Sequence, residues 1–172
     1  MKGAKIKRLT EVALLVSLLC VGSQIAIPTI FLVPITIQVL LVGIIGYFLS
    51  LKWSLATILV YVSIGAIGVP VFANFGGGLG TLFGYTGGFV FGFIPLVIMC
   101  SLGKGRAKIL FGIIGVILCH FVGIIQYSLV AKLPIITSFL TMSLPYIFKD
   151  FVLVILAFFV ANLVKIKLKR QS

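Results

Sequence analysis

Carboxylates are nearly missing from this 172-residue chain: Glu11 and Asp150 are the only two. Charged residues make up 9% of the sequence and hydrophobic ones 62%. A soluble domain of this size needs far more polar surface to cover its core, so the scarcity of charge points to an integral membrane protein. There is one histidine, and there are three cysteines. Cys20, Cys100 and Cys119 lie in or beside apolar runs without metal-site spacing and read as packing residues, so neither metal nor cofactor is expected. His-Glu-x-x-His and Gly-x-Ser-x-Gly are both absent, which argues against an intramembrane enzyme. No Gly-Lys-Ser/Thr phosphate loop occurs either, so ATP-driven movement would need a partner.

What the chain does have is long apolar runs, near residues 10–27, 33–51, 53–70, 86–102, 107–131 and 148–166. A membrane helix needs about 20 such residues, which predicts an all-α, single-domain bundle of six transmembrane helices. The basic start of the chain resembles a signal-peptide n-region, but the run after it is long and lacks a small-residue cleavage site; a retained first helix is expected. Lys2, Lys5, Lys7, Arg8, Lys52, Lys104, Arg106, Lys108, Lys165, Lys167, Lys169 and Arg170 fall on one side of a six-helix arrangement, and only Lys132 and Lys149 on the other. The positive-inside rule then puts both termini in the cytoplasm of a cell-membrane protein, with Trp53 beside Lys52 as an interfacial anchor. The net charge of +12 sits at the ends of apolar runs, without a basic stripe interleaved with aromatics, so no nucleic-acid partner is expected.

Small residues recur at four-residue spacing: Gly84, Gly88 and Gly92 in the fourth helix, whose start is expected to reach into the loop before its run, Gly115, Cys119 and Gly123 in the fifth, and Ala13 with Ser17 in the first. Such stripes let helices approach in lipid. Eight glycines lie between Gly68 and Gly88, where backbone can approach a ligand closely. Irregular backbone at membrane depth is tolerable where it lines a cavity. The backbone N–H groups near Gly76, Gly77 and Gly78, and of Thr86, Gly87 and Gly88, suit a carboxylate.

An acid at the edge of a membrane span is a functional candidate by default, and Asp150 stands where the last run begins, at its outer mouth. Its bland alternative is a charge favouring a helix N-terminus. Glu11, after Thr10, reads as such a helix-start acid, and His120 as a hydrogen-bonded core residue. Lys149 adjoins Asp150, although neighbouring helix residues diverge by about 100°.

Five segments come in the order seen in the BioY family: Gln24-Ile25-Ala26-Ile27-Pro28, Val33-Pro34-Ile35-Thr36-Ile37-Gln38, Gly65-Ala66-Ile67-Gly68-Val69-Pro70-Val71-Phe72, Gly84-Tyr85-Thr86-Gly87-Gly88 and Pro145-Tyr146-x-x-x-Asp150. From about residue 8 to 165 the chain resembles that family, the biotin-binding S components of energy-coupling factor (ECF) transporters. The resemblance implies six helices, capture of biotin on the outer face, and energising by a separate module of two ATPases and a scaffold membrane protein. It also implies docking onto that scaffold through the small pair Ala13 and Ser17 of the first helix. The chain departs from the family pattern at Tyr85, where proline is frequent, at Leu153, where lysine is common, and at Val90, where some members have arginine.

Biotin offers two ureido N–H donors, a carbonyl, an apolar ring and a carboxylate. Asp150 suits a ureido N–H in a charge-assisted bond. Asn74 and Gln38 are amides for the ureido group or the carboxylate; Phe31, Phe75, Tyr85 and Tyr146 are aromatic walls; Lys149 and Lys132 attract an anion. A stand-alone proton-coupled vitamin transporter is the alternative, with Asp150 as proton carrier, but such carriers show internal repeats and this chain has none that match. An S component for a different vitamin is the other.

Overall fold

The computed structural model describes residues 2–27 and 35–171, and the connection at 28–34, with Phe31, lies outside the described residues. Helix α1 spans Lys2–Gly22, and a two-residue antiparallel ribbon follows, with β1 (Ala26–Ile27) paired to β2 (Ile35–Thr36). The β-branched pair Ile35-Thr36 suits that extended ribbon. It is a small strand component in a chain expected to be all helix.

Helix α2 is Gln38–Phe48 and α3 is Leu51–Ala66, separated where Leu49 and Ser50 turn extended. A 3-10 turn at Ala73–Phe75 and the short α4, Gly78–Leu82, occupy the glycine-rich segment. Then come α5 (Gly87–Ser101), α6 (Ala107–Ala131), α7 (Ile135–Met142) and α8 (Leu144–Gln171). Gly103 and Gly105 take positive φ in the tight turn between α5 and α6. Lys132 closes α6 in the left-handed conformation, and Pro134 follows to prevent continuation.

Of the six expected spans, 107–131 coincides with α6. The others differ. Only α6 and Leu144–Leu168 of α8 are long and apolar enough by themselves to cross a membrane, among the described residues. Helix α2 has 11 residues and reaches roughly 16 Å, about half of a bilayer core. The run looked longer because Ile35 and Thr36 form strand β2 and Ile37 stands outside the helix as its N-cap. Residues 135–142, read as loop, form α7.

Helix α2 lies between α5 and α8, with Val42, Ile45 and Tyr47 fully buried against Leu96, Val97, Val154, Ala157 and Ala161. Small residues set these contacts. A Cβ added to Gly88 would lie 2.9 Å from both Gly123 Cα and the Val122 carbonyl oxygen; one added to Gly92 would lie 2.7 Å from the Cys119 carbonyl oxygen. The backbones of α5 and α6 therefore touch directly, as the glycine rows predict. Gly84 is not part of that row, because it lies in the turn before α5. At the other end, Lys165 Nζ donates to the Tyr47 carbonyl oxygen at 2.7 Å, placing a cation on the C-terminal end of α2.

Two acids stand elsewhere than expected. Glu11 lies well inside α1, paired with Arg8 one turn earlier at 2.6 Å, not at a helix start. Asp150 is in the second turn of α8, because that helix begins at Leu144. A helix-dipole role fades beyond the first turn, so the bland account of Asp150 loses its basis.

Candidate functional site

One cavity gathers residues from seven elements. Thr36 of β2, Gln38 and Val39 of α2, Asn74 of the 3-10 turn and Thr81 of α4 form one side. Thr86 with Phe89, Val90 and Phe93 of α5, Cys119 and His120 of α6, and Tyr146, Lys149 and Asp150 of α8 form the rest. Apolar walls with a few converging polar groups are what a small organic ligand requires.

The polar end is built around Asp150. Its Oδ1 accepts from Lys149 Nζ at 2.5 Å, and its Oδ2 accepts from His120 Nε2 at 3.1 Å. His120 Nδ1 in turn faces Ser143 Oγ at 2.8 Å. The side chains of His120 and Asp150 are 4% and 8% exposed, so that pair is nearly sealed from solvent, while Lys149 is 27% exposed. Lys149 also donates to the Thr36 carbonyl oxygen at 3.1 Å, tying α8 to β2. Divergence of neighbouring helix positions does not keep Lys149 from Asp150, since the four-carbon lysine stem spans it.

Gln38, first residue of α2, donates to Tyr61 Oη at 3.1 Å, and Tyr61 passes the bond on to the Val71 carbonyl oxygen at 3.0 Å. Val71 also accepts from Ser23 Oγ, so α3 and the turn just past α1 meet the loop at one carbonyl, with α2 joined through Tyr61. Asn74 is exposed at the cavity mouth with φ 56 and ψ 38, the left-handed region that asparagine tolerates.

The glycine segment supports the cavity more than it lines it. Gly76, Gly77, Gly78, Gly87 and Tyr85 are not among the lining residues. The N–H of Gly76 is taken by the Ala73 carbonyl, and that of Gly87 by the Gly84 carbonyl. Gly77 packs so closely that an added Cβ would lie 2.6 Å from the Val69 carbonyl oxygen. Tyr85 meets Tyr127 with the rings tilted by 56° and their centroids 5.9 Å apart. Phe75 is exposed, and Leu153 turns into the core. Ala13 and Ser17 lie exposed on α1, far along the chain from the cavity-lining residues, with Ser17 Oγ bonded to the Ala13 carbonyl at 3.0 Å.

Two glutamines, neither expected at the site, hold the loops. Gln126 of α6 donates to the carbonyls of Leu82 and Gly84 at 2.7 and 2.8 Å. Gln24, beyond α1, donates to the carbonyls of Pro70 and Phe72, both at 3.2 Å, and its Oε1 accepts the Phe75 N–H at 3.0 Å. Gln24→Leu is expected to loosen residues 70–75 by about 0.5–1.5 kcal/mol, the net worth of a hydrogen bond, because Pro70 and Phe75 are exposed and their freed groups can turn to water. Hydrogen exchange at the Phe75 amide reads this directly. Unchanged protection would show that the turn holds itself.

His120 was the other omission. A lone histidine in an apolar helix needs a partner, and Asp150 is the only carboxylate beyond α1. Scarcity alone could have paired them.

The sequence pattern of the BioY family matches residues 1–170. A probable biotin transporter BioY from Pyrococcus horikoshii is 38% identical over 119 residues, covering 69% of this chain and 73% of that protein. The biotin transporter BioY2 of Lactococcus lactis subsp. cremoris is also 38% identical, over 108 residues that span 63% of this chain and 59% of the relative. The biotin transporter BioY of Thermotoga maritima is 43% identical over 88 residues, about half of each chain. Among solved structures, the crystal structure of the S-component for biotin from an ECF-type ABC transporter superposes with a TM-score of 0.88 over 96% of this chain and 94% of that one. At 22% identity, that likeness speaks for the fold.

Proposed function

The chain belongs to the BioY family of multi-pass cell-membrane transporters, and from that premise we propose that it is the S component that captures biotin outside the cell and delivers it with an ATP-driven ECF module. The observation that carries the reading is the single acid beyond α1, buried in a cavity with an apolar wall and held by two donors. Asp150 accepts a ureido N–H, and Asn74 and Gln38 serve the remaining ureido and carboxylate groups. Phe89, Val90 and Phe93 receive the thiophane, with Tyr146 closing the wall. Thr86, whose backbone precedes α5, lies where that helix's positive end favours an anion. The cation that many relatives carry three residues after the acid comes here from Lys149. Gly76, Gly77, Gly78, Tyr85 and Gly87 shape the loop around these groups.

Helices α1, α2, α3, α5, α6 and α8 are the six spans of this reading, with α4 and α7 on the outer side. The basic residues keep both termini in the cytoplasm. Equilibrium binding of biotin to the purified chain in detergent tests the assignment. Tight binding is expected. Its absence, with another vitamin bound in its place, would overturn the ligand and make Leu153 and Val90 marks of a changed specificity.

Delivery needs the module, and Ala13 with Ser17 is the docking face. Ala13→Trp is expected to abolish ATP-dependent uptake in cells while biotin binding by the isolated chain stays unchanged. Loss of binding as well would remove the docking role.

A further inference from the structure

The polar cluster behind the cavity contains a residue whose arrangement assigns it a task of its own. We propose that His120 is the positioning residue of the capture site, fixing the Asp150 carboxylate in the orientation that presents it to biotin. This role rests on the capture reading given above.

A carboxylate on a helix has several staggered rotamers, and only some direct it into the cavity. Lys149 is tied to the Thr36 carbonyl oxygen as well, but its long flexible stem constrains the carboxylate less than a rigid ring does. The imidazole is different. It is planar and nearly sealed, and it is held from two further sides. Ser143 Oγ meets Nδ1 at 2.8 Å, and the Phe89 ring stands edge-on to it with centroids 5.5 Å apart at 85°. An ionised Asp150 can only accept, so Nε2 carries the hydrogen that points to Oδ2. In the neutral ring the donors then run in one direction, from the Ser143 hydroxyl to Nδ1 and from Nε2–H to the carboxylate.

The partners come from separate elements: His120 from α6, Ser143 from the joint between α7 and α8, Asp150 from α8, Phe89 from α5. The bond at Oδ2 therefore measures the registry of α6 against α8. Lone pairs on both carboxylate oxygens remain for a ligand, since each oxygen accepts two hydrogen bonds.

The test compares biotin affinity by calorimetry for the full chain and for His120→Leu, His120→Gln, His120→Asn and Ser143→Ala, each with its thermal melting. The glutamine amide nitrogen sits where Nε2 sits, and the asparagine amide falls where Nδ1 does. His120→Leu should weaken binding about 10- to 100-fold, the range of a hydrogen bond to a charged group. His120→Gln should recover most of that, and His120→Asn should not. Ser143→Ala should fall between. If His120→Leu binds as the unmodified chain does, or if Gln and Asn are equivalent, the positioning role is wrong. Should His120→Leu fail to fold, the Gln and Asn pair decides alone. If the unmodified chain binds no biotin, the capture reading falls and this role with it.

Discussion

Asp150→Asn is expected to weaken biotin binding roughly 100-fold while leaving the chain folded. The substitution exchanges one acceptor oxygen for an N–H2 group. Lys149 Nζ keeps the remaining oxygen, so His120 Nε2, now facing a donor, must give up its hydrogen. The ring can do so without moving, because Ser143 Oγ at Nδ1 can accept as readily as donate. The cluster thus survives with its hydrogens reversed, and what is lost is the negative charge offered to a ureido N–H. Nitrogen-15 shifts of the single histidine should report the exchange of tautomer. Binding that persists at full strength in Asp150→Asn would remove Asp150 from the site.

Gly88→Leu should prevent the chain from being isolated as a single monodisperse species. The atoms in the way are Gln126 Cβ at 2.8 Å and, at 2.9 Å, Gly123 Cα and the Val122 carbonyl oxygen; two are backbone and the third is bonded directly to it, so no rotation moves them aside. Overpacking that side chains can absorb costs about 1–3 kcal/mol, and this change should exceed that range. Gly123→Ala is the instructive contrast. The added methyl meets the Phe89 ring at 2.7 Å, and that ring can rotate. It should fold, yet bind biotin more weakly, because Phe89 both lines the cavity and stands against His120. Size-exclusion profiles and binding isotherms of the two variants separate the effects. A monodisperse Gly88→Leu with unchanged melting would mean that direct backbone contact is not what holds α5 to α6.

The features read best from sequence were those with a local signature. Apolar run length located α6 from end to end, and four-residue glycine spacing located the α5–α6 contact. The rarity of acids singled out Asp150. Gln38, Asn74, Thr86, Tyr146, Lys149 and Asp150 come together around one cavity. What sequence could not give was long-range pairing: His120 is 30 residues from Asp150, and Gln126 is 42 from the Gly84 carbonyl it holds. Hydrophobicity also misjudged helix ends, since Ile35 is as apolar in a strand as in a span. The glycines were read as ligand-facing, whereas most of them lie where chain packs on chain. A close approach looks the same in sequence whichever partner makes it.

The Lys149–Asp150 pair has an electrical consequence. As an ion pair the two side chains cancel, so the pair itself adds no net charge to the cavity. On the function proposed above, biotin arrives as a monoanion, and the loaded subunit would carry one extra negative charge, gained at the outer surface and surrendered at the inner one. In a cell held negative inside, carrying that charge inward runs against the membrane voltage, at about 2.3 kcal/mol per 100 mV. Part of the work drawn from ATP would then be electrostatic, and uptake should quicken when the membrane is depolarised at constant ATP.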